Sequence, residues 1–238
     1  MTSEKPPSLE EEEAQVRRVT ASQHQAELGL IEKLLNAYLA GFRSLGSFTP
    51  SDNNELEYAW LLLITRAFNS MRCAYDLLQR GYYSQTLTLV RSVNEDWLTC
   101  MDCLINRPTL EALLQGRKMP AYGDMAKRLE EPESKKWWDH IYGEQSQLAH
   151  ARRRALTVLV DPDTHTLRLG GHYDKDLFVA SCYSLIPAAA RMTEFLGRVL
   201  GSRAQPWANE SLPIVREAQA WMKRVEAEVL DPDSPHLT

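Results

Sequence analysis

The stretch Ser84–Arg107 leaves this chain little choice but a helix covered on several sides. On a wheel of about 100° per residue, Leu87, Val90, Val93, Trp97, Leu98, Met101, Leu104 and Ile105 form one broad apolar face. So wide a face belongs to a helix that packs on two or more neighbours. Ser84, Thr88, Arg91, Glu95 and Asp102 fall together along one edge of it. Arg91 and Glu95 are four residues apart and can touch, although base before acid is the weaker order for an exposed helical pair. The plain reading is a boundary ion pair, with Arg91 laying its stem over the core. The sharper reading is a partly buried pair aimed at a third group on another helix.

Most of the remaining chain repeats the helical pattern. Acids at Glu10–Glu13 suit a helix N-terminus, and apolar residues from Leu28 to Leu45 continue one long helix as far as Gly46 and Pro50. Its first half is sparsely apolar, so it is expected to project or fray. Ser51 or Asp52 can cap a second helix with a stripe from Tyr58 and Trp60 to Leu78, and Gly81 stands where a left-handed cap is expected. A short helix follows Pro108, and another is expected near Asp124–Glu130. Pro132 suits the start of a helix running through Trp137 and Leu148 past His150. Residues 156–160 and 166–169 flank Asp161–His165 as a small β-hairpin insertion. Asp174 can cap a helix to about Leu200 with a kink at Pro187, and a final helix is expected over Leu212–Leu230 with Pro213 in its first turn. The expected fold is all-α, a bundle of about seven or eight helices with the hairpin near residues 156–169. Residues 1–8 and 231–238 read as disordered tails around a single helical domain at 9–230.

Charge and composition narrow the function. Lys and Arg number 27 against 32 Asp and Glu, a net charge of −5, so no global basic field draws in nucleic acid or acidic lipid. Arg152, Arg153 and Arg154 make a local basic run. No run approaches the ~18 apolar residues of a membrane helix, so no membrane partner is expected. The N-terminus lacks the pattern of a secretory signal, which with four cysteines points to free thiols in the cytoplasm. Cys100 and Cys103 have the spacing of a zinc or redox pair but no second pair and no strand context, and read as small core-edge residues. No His-x-x-x-His pair, phosphate loop, dinucleotide glycine fingerprint or nucleophile elbow occurs, so neither a metal nor a cofactor is expected.

Tyr142, Ser146 and His150 are spaced by four and share a helix face, where two hydroxyls and an imidazole can order a hydrogen-bond network. A polar stripe within apolar surroundings is tolerable only when paired. The helix at Ser84–Arg107 is therefore expected to pack on the one at Glu133–Arg154, with Glu95 accepting from Arg91 or His150.

Leu89-x-Arg91-Ser92-x-x-Glu95, preceded by Ala74-x-x-Leu77-Leu78-x-x-Gly81 and followed by Tyr142-x-x-x-Ser146-x-x-x-His150, resembles an uncharacterised all-helical prokaryotic family. Its members carry an Arg-Ser-x-x-Glu helix and a distant Ser-x-x-x-His helix. The resemblance covers residues 55–200, implies a bundle in which Arg91, Glu95, Ser146 and His150 meet, and brings no established activity. A remoter likeness is to HEPN-type domains, many of them metal-independent ribonucleases. Their usual Arg-to-His spacing is absent, since Arg168 and His172 leave only three residues between them.

Three functions from different classes follow as expectations. The leading one is a cytoplasmic binding or regulatory module, in which a pocket around Arg91, Glu95, Tyr142, Ser146 and His150 takes a small anionic ligand or a protein partner. The second is a metal-independent ribonuclease of a defence or toxin system. There His150 would be the acid or base, Arg91 would stabilise phosphate charge beside Glu95, and Arg152 to Arg154 would hold RNA. The third is a helix-mediated homodimer without a pocket.

Overall fold

The computed structural model describes residues 7–44, 54–129, 170–201 and 205–230. Eight helices carry these residues: α1 Leu9–Gln23, α2 Gln25–Ser44, α3 Glu55–Gln79, α4 Tyr83–Ile105, α5 Arg107–Leu114, α6 Tyr122–Arg128, α7 Lys175–Leu200 and α8 Gln205–Leu230. No strand occurs among the described residues, and the hairpin expected at 156–169 lies outside them. No described helix is long and apolar enough to cross a membrane.

Helix α7 is the axis of the bundle, touching α2, α3, α4 and α8. Its composition explains this: Phe178, Cys182, Leu185, Ile186, Ala189, Met192, Phe195 and Leu196 make one broad buried face, and the uninterrupted buried run Ser184–Ala190 encloses the middle of the helix on all sides. The α3–α4 hairpin lies alongside it. The hairpin is tight because α3 closes in a Schellman motif, with Gly81 N donating to Leu78 O at 3.1 Å and Tyr82 N to Leu77 O at 3.0 Å. Gly81 takes φ +79°, and a Cβ there would stand 2.1 Å from the His172 carbonyl oxygen. Residues 170–174 therefore lie against this turn, and α7 starts from it. The Asp174 side chain caps Leu177 N at 2.9 Å, while its own N–H donates to the Tyr83 hydroxyl at 3.1 Å.

Several sequence expectations change. The single long N-terminal helix is two helices broken at His24. The His24 ring stacks on Phe178 with centroids 4.0 Å apart, and its Nε2 lies 3.0 Å from the Tyr173 hydroxyl. Docking that ring needs a backbone (φ −128°, ψ 38°) that helix geometry excludes. Helix α1 does not project: Arg17 pairs with Asp76 at 2.7 Å, and Glu13 takes bonds from Arg80 and Tyr82. Ser8, assigned to the tail, forms a capping box with Glu11. The last helix starts at Gln205, with Pro206 in its first turn and Pro213 inside it. Trp207 anchors this added length by donating from Nε1 to Ala37 O at 2.6 Å, in a space left open by Gly41. Leu104 and Ile105, expected on the core face, are exposed. There α4 is ending, and cover from α3 and α5 reaches only Cys103, through Ala59 and Leu110.

Candidate functional site

Helix α4 carries two acid–base contacts in adjacent positions. Arg91 Nε donates to Glu95 Oε1 at 2.9 Å, with the two side chains 18% and 16% exposed. The order that is weak on a bare helix is held here by enclosure of both groups. One residue on, Asp96 turns toward α3, where Val93 and Cys100 also face the core. Its Oδ1 accepts from Arg66 Nε at 2.8 Å and from Arg66 Nη2. The contrast is large: the Asp96 side chain is 0% exposed and the Arg66 side chain 57%. Oδ2 of Asp96 is buried and accepts no hydrogen bond among the described residues. Burial pushes the Asp96 carboxyl up to about 6; Arg66 opposes the rise and Glu95 adds to it.

Tyr122, on α6, lies within the electrostatic influence of both contacts. Burial raises its phenol pKa, Glu95 and Asp96 raise it further, and Arg66 and Arg91 lower it. The phenol is thus in electrostatic reach of two guanidinium groups and two carboxyls from α3 and α4. Helix α6 has only seven residues and needs an anchor to hold Tyr122 there. Asp102 supplies it, accepting from Arg128 at 2.8 Å and 2.6 Å and from the Thr109 hydroxyl at 2.6 Å. Burial alone would raise the Asp102 carboxyl, but Arg128 and Thr109 bring it below the usual carboxylate range. Asp102 is therefore a buried staple between α4, α5 and α6 and not part of the Arg91–Glu95 edge.

A second polar station faces α7. Arg191 Nη2 donates to the buried Asn94 Oδ1 at 3.0 Å, and its guanidinium carbon lies 5.7 Å from the Trp97 ring centre. Burial brings Arg191 down to about 9, with Glu194 opposing. Arg91, Asn94, Glu95, Trp97, Tyr122 and Arg191 each make at least one further interaction.

Of the residues singled out by sequence, Arg91 and Glu95 meet as expected. Tyr142, Ser146, His150, Arg152, Arg153 and Arg154 lie outside the described residues, as does the expected contact between α4 and residues 133–154. Cys100 and Cys103 are buried in the core, where burial raises both thiols, Cys103 to about 11. No group of His, Cys, Asp and Glu suited to a metal occurs among the described residues. Sequence reasoning missed Arg66, Asp96, Asn94, Tyr122 and Arg191. A signal existed for one of them: Asp96 falls between Val93 and Cys100 on an apolar face, where an acid requires a partner.

Chemically, the arrangement offers two guanidinium forks held by carboxylates and one buried carboxyl pushed up to about 6. No family model, curated protein or solved structure matches the chain.

Proposed function

We propose that the protein is a binding module whose Arg66 and Arg91, each held by a carboxylate of α4, receive a small anionic ligand. The observation that supports this is a pair of carboxylate-held guanidinium groups from different helices, Arg66 on Asp96 and Arg91 on Glu95, whose two acids are neighbours on α4. Glu95 orients Arg91 before the ligand arrives, which lowers the ordering cost of binding. Arg66 is half-exposed and gives the ligand access, whereas Arg91 is enclosed and fixes its orientation. A ligand with a planar carboxylate or a phosphoryl group matches the fork geometry.

Thermal-shift measurements with sulfate, pyrophosphate and di- and tricarboxylates test the reading. Ligand at about a hundred times Kd stabilises by ~2.7 kcal/mol, a shift of a few degrees for a chain of this size. At least one of these anions should raise Tm in the wild type, and Arg66→Ala or Arg91→Ala should abolish the rise. An identical response in wild type and both variants removes the site.

A further inference from the structure

Asp96 competes with any incoming anion for Arg66, and it is the one carboxyl of the cluster enclosed on every side. The groups facing it come from four helices: Arg66 on α3, Glu95 and Cys100 on α4, Tyr122 on α6 and Tyr38 on α2. Burial raises the Tyr38 phenol and the Cys100 thiol well above their usual values, so neither carries charge near neutrality. The Tyr38 hydroxyl is turned away to donate to Ile64 O at 2.9 Å. Among the described residues, the charges acting on Asp96 are therefore Arg66, which favours its ionised form, and Glu95, which disfavours it.

With Asp96 ionised, its charge offsets that of the Arg66 it holds; one added proton removes that offset and leaves the guanidinium facing a neutral acid. The proton has a defined place, because Oδ2 is the oxygen without a donor among the described residues. Arg66 then faces a neutral acid through one acceptor oxygen, and its exposed position lets it turn to another anion.

We propose that anion binding at this site is proton-gated: ionised Asp96 holds Arg66 and excludes the ligand, and protonated Asp96 releases Arg66 to a strong oxyanion of the sulfate or phosphoryl type. This rests on the anion-binding reading above. The buried carboxyl titrates at about 6, which places the transition within the range a cell can traverse. By linkage, a proton that raises anion affinity requires the anion to raise the Asp96 pKa by the same factor.

Sulfate is the probe, because its charge is constant across the range concerned. Affinity is measured by calorimetric titration at about pH 5 and about pH 8, either side of the Asp96 transition, with ionic strength held by chloride. Wild type should bind sulfate at least about tenfold more tightly at the lower pH, equivalent to a rise of one unit or more in the Asp96 pKa. Asp96→Asn should bind at both values with the wild type's low-pH affinity. Equal wild-type affinity at the two values overturns the gate and leaves the anion site standing. A pH dependence that survives unchanged in Asp96→Asn overturns it as well. Absence of sulfate binding at either value overturns the anion site together with the gate. If Asp96→Asn fails to fold, carboxyl 13C NMR of the wild type decides: sulfate must move the Asp96 titration midpoint upward, and an unmoved midpoint rejects the proposal.

Discussion

Arg66, more than half exposed on α3, donates from Nε at 2.8 Å to the carboxylate of Asp96, which has no exposure at all. The pair joins solvent to core across the α3–α4 hairpin. It costs stability when Asp96 is ionised, since one Arg at the rim does not replace the water lost by a buried carboxylate.

That cost sets a sign for the pH dependence. A carboxyl whose folded pKa is raised holds its proton more tightly in the folded chain. Its contribution to stability is complete below the ordinary value of 3.8 and is lost as pH rises through about 6. The stability of wild type relative to Asp96→Asn, from urea melts, should fall by on the order of 2–3 kcal/mol as pH rises from below 3.8 to about 7. A constant difference between the two proteins would refute it.

His24 runs in the opposite direction. Burial beside Phe178 lowers its pKa, with Glu27 opposing and Lys175 adding to the fall. The neutral ring favours the fold, so this contribution is present above 6.5 and is lost as pH falls through the lowered value. NMR titration of the His24 ring should give a midpoint below 6.5, and a midpoint above it would contradict the docked neutral imidazole.

Enclosure should separate two ion pairs of similar length. Glu95→Ala is expected to cost more than the ~1 kcal/mol ceiling of exposed pairs, because it leaves Arg91 enclosed without its carboxylate. Lys33→Ala, which breaks the 2.8 Å pair with Glu217 on the exposed surface of α2 and α8, should change stability by about 0.5 kcal/mol or less. Equal effects in denaturant melts would show that the Arg91–Glu95 pair is an ordinary surface contact.

Asp102→Ala should cost about 1–3 kcal/mol, because it leaves the buried Thr109 hydroxyl without its acceptor while the partly exposed Arg128 guanidinium can turn to water. Loss of the staple should also release α6, so hydrogen exchange at Tyr122–Arg128 should accelerate beyond the global change. Unchanged exchange in that helix would mean that other contacts hold it.

Two glycines should respond with opposite signs. Gly29→Ala, mid-helix in α2 with nothing within 4 Å of the new Cβ, should stabilise by about 0.5–1 kcal/mol. Gly81→Ala combines φ +79° with a Cβ 2.1 Å from the His172 carbonyl and should destabilise by more than about 1 kcal/mol. Thermal melts of both variants check the pair, and a neutral Gly81→Ala would mean that residues 170–174 do not lie against the turn.

The sequence by itself determined what depends on neighbours along the chain. The helical period of α3 and α4, the Gly81 stop, the Asp174 cap and the four-residue Arg91–Glu95 contact are all set within two helical turns, where geometry is fixed by the backbone alone. Only the tertiary structure decided the rest. The break at His24 follows from a ring partner, Phe178, far along the chain, and the extra turns of α8 follow from an anchor on Ala37. Cover for Asp96, and its absence for Leu104 and Ile105, depend on where α3, α5 and α6 come to rest on α4. Asp96 and Arg66 are thirty residues apart, and no local period records which arginine reaches which acid. Their meeting is fixed by the rotation of two helices about their axes, which packing of the whole bundle sets.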